Sequence, residues 1–429
     1  MRPLHLCAAL ALVAAAPPGP AAQPAPEAAR AVKRIVESPV FAKAVASLDA
    51  GHDQWVRDVI TLTEIPAPPF NEEARAKAYA AMLRERGLSD VEIDEEGNVL
   101  GLRKGTGGGG KLVVVSAHLD TVFPAGTDVK VRREGEKLHA PGVGDDSAGL
   151  ATLLAFIDAM NAAGIRTRDD ILFVGTVGEE GLGDLRGVRH LFTRGKYKGR
   201  AKAFFSLDGS GLDAVTTAGT GSKRYRVTFK GPGGHSYSAF GIVNPMAAMA
   251  QAVTDFYKIP VPQDPKTTYS ASVTGGGTSV NSIPDEVWME FDMRSENQQE
   301  LAKLEQAFLG VVAGAVRAEN AARSTKAGEV TAEPKVIGNR PAGQTPPTAD
   351  IVQFATAAYK SEGINVKYRS SSTDSNLPMS LGIPSLTLSR SASGDRAHAL
   401  DEWLGVEKAP NLKVKKIGLA TILATAGMR

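Results

Sequence analysis

The stretch Leu112-Val113-Val114-Val115-Ser116-Ala117-His118-Leu119-Asp120 decides the fold: an all-apolar run that ends in a histidine and an aspartate. It follows the glycine-rich segment 107–110, and an uninterrupted apolar run bounded by turn residues predicts a strand buried on both faces. Runs of the same texture recur at 171–177 and 203–207, each preceded by a plausible helix, such as 147–163 closed by Gly164. Buried strands alternating with helices imply an α/β/α sandwich on a mostly parallel sheet. The glycines at 107–110 are no phosphate loop, because they precede the strand and lack a Gly-Lys-Ser/Thr ending.

Upstream, helical spacing of apolar residues predicts helices over 32–48, 56–62 and 72–86, the last closed by Gly87, and a hairpin then pairs 91–93 with 99–102. From about Gly219 the texture changes to alternating strands at 225–229, 268–274 and 287–293, with amphipathic helices at 245–257 and 298–322. This reads as a smaller α+β unit, 219–339, inserted between two parts of the first domain, 32–218 and 340–429. After the loop 340–347, a helix (349–361), a strand (385–388) and a last helix (406–426) return to the α/β style. Residues 1–22 differ from all of this. Arg2, an apolar run over 4–16 and a small-residue exit at Ala21-Ala22-Gln23 read as a secretory signal peptide, too short in its apolar core to span a membrane. The expectation is export, to the periplasm or the medium, with no membrane anchor after cleavage.

Of the 429 residues 43% are hydrophobic and 22% charged, a globular balance. Lys and Arg number 49 against 47 Asp and Glu, so the net charge of +2 gives no reason to expect nucleic acid or an anionic membrane as partner. The one cysteine, Cys7, excludes an internal disulfide, a thiolate zinc site and an iron–sulfur cluster. Any metal must therefore be held by His, Asp or Glu.

Such residues stand where a core would not tolerate them. His118 and Asp120 follow the first strand, Glu179 and Glu180 the second, and Asp208 the third; Asp145 and Asp146 open a helix, and His398 lies near the end of the chain. In α/β sheets ligands bind at the carboxyl ends of the strands. Two histidines with several carboxylates and no thiolate form the donor set of a hydrolytic zinc site, and a bridging carboxylate lets two ions sit about 3.5–4 Å apart. Singly each piece also reads as ordinary structure: Asp145-Asp146 as a helix cap, Glu179-Glu180 and Asp208 as turn residues before glycine. Their coincidence is what those readings leave unexplained. His52, His139 and His190 read as surface or loop residues.

The strings Ser116-Ala117-His118-Leu119-Asp120-Thr121-Val122, Gly142-Val143-Gly144-Asp145-Asp146, Gly178-Glu179-Glu180-Gly181, Leu207-Asp208-Gly209 and Ala397-His398 occur in the order found in a known family. The chain resembles the zinc exopeptidases and deacylases of peptidase family M20, which include peptidase T, carboxypeptidase G, aminoacylase and succinyl-diaminopimelate desuccinylase. The resemblance implies two zinc ions per chain, with Co2+ or Mn2+ as substitutes. Asp145 would bridge them, Asp208 and His118 would hold one, and Glu180 and His398 the other. Asp120 would fix the His118 ring through its second nitrogen, and Glu179 would serve as general base. The 219–339 insert would be the family's lid or dimerisation domain. In it His235 would reach a substrate carbonyl, often across a homodimer, Asn281 would hold a carbonyl or carboxylate, and Arg294 would clamp a substrate carboxylate. The residue readings leave Asn281 as a strand-turn residue and Arg294 as a surface partner of Asp292. Two departures stand out: Ser147 follows the aspartate pair where relatives commonly carry Lys, and the last histidine sits in His398-Ala399-Leu400-Asp401-Glu402. The expected activity is hydrolysis of short peptides by an aminopeptidase or tripeptidase. The alternatives are an N-acyl amino acid deacylase, a glutamate-type carboxypeptidase, or a non-catalytic binding protein on the same fold.

Overall fold

The structure is a computed structural model that describes residues 23–429; the signal-peptide reading of 1–22 lies outside them. Its main sheet runs in the order Ser89–Ile93, Val99–Arg103, Asp170–Thr176, Leu112–His118, Ala201–Ser210, Ser385–Ser391, Ala214–Gly219, Gly343–Gln344, with Lys367–Ser371 also paired to Ala214–Gly219. Four central strands are parallel: Leu112–His118 lies between Asp170–Thr176 and Ala201–Ser210, and Ser385–Ser391 follows on the far side. Three of these are buried along their whole length; burial on both faces is why Leu112–His118 and Asp170–Thr176 read as apolar runs, whereas Ser385–Ser391 alternates Leu with Ser, Thr and Arg390. The predicted hairpin is the antiparallel pair at the sheet's edge.

Helices cover both faces. The single helix expected over 32–48 is two, Pro26–Val36 and Pro39–Ala50. Pro39 has no N–H to continue a helix and disfavours helical backbone at the residue before it, and the Ser38 hydroxyl accepts the Phe41 N–H at 3.1 Å to start the second. The helix Ser147–Ala163 backs onto the strand ends so closely at Gly149 that a Cβ there would collide with Asp146 Oδ1 and the Leu207 carbonyl. A glycine is thus what brings the Asp145-Asp146 helix start against the Asp208 strand.

A second antiparallel sheet, Thr267–Gly276, Glu286–Ser295, Gly221–Lys230, Thr331–Arg340, carries the helices Pro245–Phe256 and Gln298–Ala322. It has its own core, in which Phe256 packs edge-on to Phe291 and Phe308 with centroids 5.1 and 5.4 Å away. Its fourth strand went unread in the sequence because it is a largely exposed edge interrupted by Pro334, with little apolar alternation. Two small pairings matter for the site. Gly394–Asp395, Trp403–Gly405, Lys137–His139 and Arg132–Glu134 form a sheet that ties the His398 loop to the segment before Gly142, and Gly234–His235 pairs with Ser282–Ile283. Among the described residues no helix is long and apolar enough to cross a membrane.

Candidate active site

The parallel strands deliver His118 and Asp208 to one edge of the sheet, and the turn after Asp170–Thr176 adds Glu179 and Glu180. The loop 142–146 supplies Asp145, and His398 comes from a turn where its own backbone is left-handed (φ +67). Such backbone is uncommon for a non-glycine residue, and Arg396 two positions earlier shares it, so the turn is sharply bent around His398. These groups converge. Asp145 Oδ1 lies 3.0 Å from His118 Nε2, and Asp145 Oδ2 lies 3.4 Å from His398 Nε2. One carboxylate thus turns one oxygen to each histidine. Glu180 Oε1 is 2.8 Å from His398 Nε2, and Asp208 Oδ1 is 3.9 Å from His118 Nε2. All but His398 are buried or nearly so.

Asp120 acts through other atoms than expected. The His118 Nδ1–H points at the Asp120 backbone carbonyl, 2.9 Å away, while the Asp120 carboxylate is 3.8 Å off. That carboxylate instead accepts the backbone N–H groups of Glu179 (3.1 Å) and Glu180 (2.8 Å). Asp120 therefore orients the ring with its main chain and the acidic turn with its side chain, a division set by the tight turn after the strand.

Burial and crowding set the charges. Asp208 is pushed up to about 7 by burial and then by Asp145, while Asp146 and Glu179 are raised well above the carboxylate range, chiefly by burial. Asp145 is held well below that range because Arg390 and the hydrogen bonds from His118 and His398 outweigh its burial. His398 rises to about 10 through its bonds to Asp145 and Glu180. Asp146 keeps one buried oxygen, Oδ1, with no hydrogen-bond partner. Acids this crowded need positive charge among them, and two overlapping donor groups, His118–Asp145–Glu180 and His118–Asp146–Asp208, have ligand atoms close enough to share a cation. Imidazole and carboxylate donors in this number fit zinc, cobalt or manganese.

Three buried residues that the sequence reading passed over hold the site. The Arg340 guanidinium donates to Glu179 Oε1 (3.1 Å) and to the Glu179 backbone carbonyl. Arg390 donates to Asp208 Oδ1 at 2.7 Å. Glu402 accepts three backbone N–H groups, from Gly142 (2.7 Å), Gly144 (2.9 Å) and Asp145 (2.9 Å), and so fixes the loop that carries Asp145. Arg390 stands at the carboxyl end of a buried strand, the signal that singled out Asp208, and was legible on the same rule.

A cavity of about 540 Å³ opens over the cluster, and Arg294 and Arg224 line it. Both pair with Asp292, Arg294 Nε at 2.7 Å and Arg224 Nε at 3.1 Å. Arg294 is thus a partner of Asp292 and a cavity residue at once. Two guanidiniums sharing one carboxylate leave a positive charge in excess on that wall. His235 and Asn281 are not brought to the cavity. Both are exposed in the second unit, where the Ser236 N–H donates to the Asn281 carbonyl at 2.9 Å. His52, His139 and His190 lie outside the cluster, but His52 and His190 are buried in helices rather than at the surface; the Val406 carbonyl fixes His52 at 2.9 Å.

The family model described as Peptidase family M20/M25/M40 matches residues 114–413. Carboxypeptidase G2 of Pseudomonas sp. (strain RS-16) is 31% identical over 105 residues, 23% of this chain and 25% of that protein, so the chain aligns with only about a quarter of this curated relative. The fold is similar to aminopeptidase PepT of Bacillus cereus ATCC 10987, with a TM-score of 0.70 and 22% identity over 87% of this chain and 99% of that one. It is also similar to the YXEP protein of Bacillus subtilis, described as a dinuclear metal binding peptidase, with a TM-score of 0.64 and 18% identity over 88% of this chain and 99% of that one.

Proposed function

The chain belongs to peptidase family M20/M25/M40 and is a hydrolase of peptide or amide bonds, and from that premise we propose that it is a two-zinc exopeptidase of the aminopeptidase or tripeptidase kind acting on short peptides. The observation that carries this reading is the Asp145 carboxylate with one oxygen facing each histidine, the arrangement a bridging ligand requires. His118 and Asp208 would hold one ion, Glu180 and His398 the other. When bound, the ions supply Lewis acidity toward water and the scissile carbonyl.

The chain's own groups do the rest. Glu179, buried and held by Arg340, takes the proton of the attacking water and returns it to the leaving amine; burial keeps it basic enough for the first transfer. Asp120 keeps Glu179 and Glu180 from exchanging places by binding both backbone N–H groups. Arg294, with Arg224, receives the substrate carboxylate as a planar donor. The unit 219–339 serves as lid and dimerisation surface. His235, exposed and outside the cavity of its own chain, reaches the carbonyl oxygen from a second copy, and Asn281 beside it contacts the substrate.

Glu179→Gln in the zinc-loaded protein tests this. Turnover should fall at least about 100-fold while zinc stays near two per chain; unchanged turnover refutes the base assignment, and loss of zinc refutes the division between Glu179 and Glu180. The excess charge on the Arg294 wall also favours a second reading, an N-acyl amino acid deacylase or glutamate-type carboxypeptidase, since these substrates too end in a carboxylate. Assays with matched dipeptides, tripeptides, N-acetyl amino acids and C-terminal glutamate substrates separate the two. Sedimentation tests the dimer, and fractionation of the producing cell tests export.

A further inference from the structure

Arg390 stands among the donors of the site, where no step above uses it. It extends from the strand Ser385–Ser391, paired in parallel with the strand that bears Asp208, and is nearly fully buried. Its Nη1 lies 2.7 Å from Asp208 Oδ1 and 3.6 Å from Asp145 Oδ1, and its Nε lies 3.9 Å from Asp146 Oδ1. The first two are the oxygens that face His118. On the other half of the cluster, Asp145 Oδ2, Glu180 and His398, no guanidinium is paired with a donor oxygen among the described residues: the nearest, Arg340, is bonded to Glu179 and acts on Glu180 only from a distance.

Resting on the two-metal reading, we propose that Arg390 is a built-in counter-cation that makes the two metal positions unequal: the His118–Asp208 side is the weaker, exchangeable one, and the Glu180–His398 side the tighter. Two effects act in the same direction. The guanidinium shares the donor oxygens and repels an incoming divalent ion a few ångströms away in a buried setting, where charges are poorly screened. It also relieves the repulsion among Asp145, Asp146 and Asp208 when no ion is bound, so the empty cluster is less in need of one. Against these stands the ordering of Asp208 by two hydrogen bonds, to its Oδ1 and to its backbone carbonyl, which position the donor but leave the repulsion of the incoming ion in place.

The test is zinc titration of chelator-stripped full-length protein against a chromophoric competitor, with the parent and the Arg390→Leu and Arg390→Gln variants. The parent should bind two zinc ions in two affinity classes at least tenfold apart, and either neutral variant should narrow the gap tenfold or more by tightening the weaker class. Two equal classes in the parent, or variants in which the weaker class is unchanged or weaker still, overturn the proposal. Fewer than two zinc ions in the parent refutes the two-metal reading instead. The parent's own titration decides the first point even where a variant does not fold.

Discussion

Replacing Lys415 by Met should stabilise the protein at neutral pH, and the gain should fade as the pH rises. Lys415 lies in the helix Lys408–Ala426 with 2% of its surface exposed, its ammonium 3.6 Å from the centroid of the Trp55 ring. Among the described residues no acid pairs with it, and burial lowers its pKa from 10.5 to about 7. Because the folded value lies below the unfolded one, the unfolded chain holds the extra proton between about pH 7 and 10.5. Stability therefore rises with pH through that window and is flat below it. At about 1.36 kcal/mol per pH unit, the buried ammonium costs roughly 4–5 kcal/mol at pH 7 and about 2 kcal/mol at pH 9. The Trp55 face offsets up to about 2 kcal/mol of this. Met keeps the packing of the stem and loses only the ring contact, so the net gain is roughly 2–3 kcal/mol at pH 7. It shrinks by up to about 2 kcal/mol between pH 7 and 9, and by less the stronger the ring contact, which acts only on the ammonium and is gone once the amine is neutral. Urea unfolding of both chelator-treated proteins at the two pH values measures it. A variant that unfolds at lower urea than the parent at pH 7, or one whose advantage is the same at both, would refute the reasoning.

Three other outcomes follow from the site. Glu402→Ala removes the acceptor of three loop N–H groups and should weaken zinc binding roughly 10–100-fold, read by competition with a chelator; an unchanged affinity means that the loop holds itself. Arg340→Met frees Glu179 and should lower kcat by about 100-fold with zinc content unchanged, while Arg340→Lys, which keeps the charge but not the paired donors, recovers only part of it. Stripping the metal should lower the melting temperature, and zinc held at about 1,000 times its Kd should return about 4 kcal/mol; a melting temperature indifferent to zinc contradicts a metal bound by Asp145, Asp208 and Glu180.

Sequence by itself determined most of the elements and the candidate donors. Apolar runs bounded by turn residues and alternating with helices read as central parallel strands, and the coincidence of polar residues at their ends, His118, Glu179, Glu180 and Asp208, pointed to a ligand edge. That logic is local, so it survives without coordinates. It failed where local pattern is weak or misleading: at Pro39, where one helix became two, and along Thr331–Arg340, an exposed edge with no alternation. What the tertiary structure decided is which charge stands beside which. Glu402 reaches Gly144 across 258 positions, Arg390 reaches Asp208 across 182, and Arg340 reaches Glu179 across 161. None of these pairs has a sequence spacing to betray it. The Asp120 side chain turned out to bind the acidic turn and to leave the His118 ring to its backbone carbonyl, and His235 and Asn281 lie outside the cavity of their own chain. The physical reason is that donor identity follows from side-chain chemistry, whereas the charge balance among donors depends on neighbours brought together by strand order and loop packing.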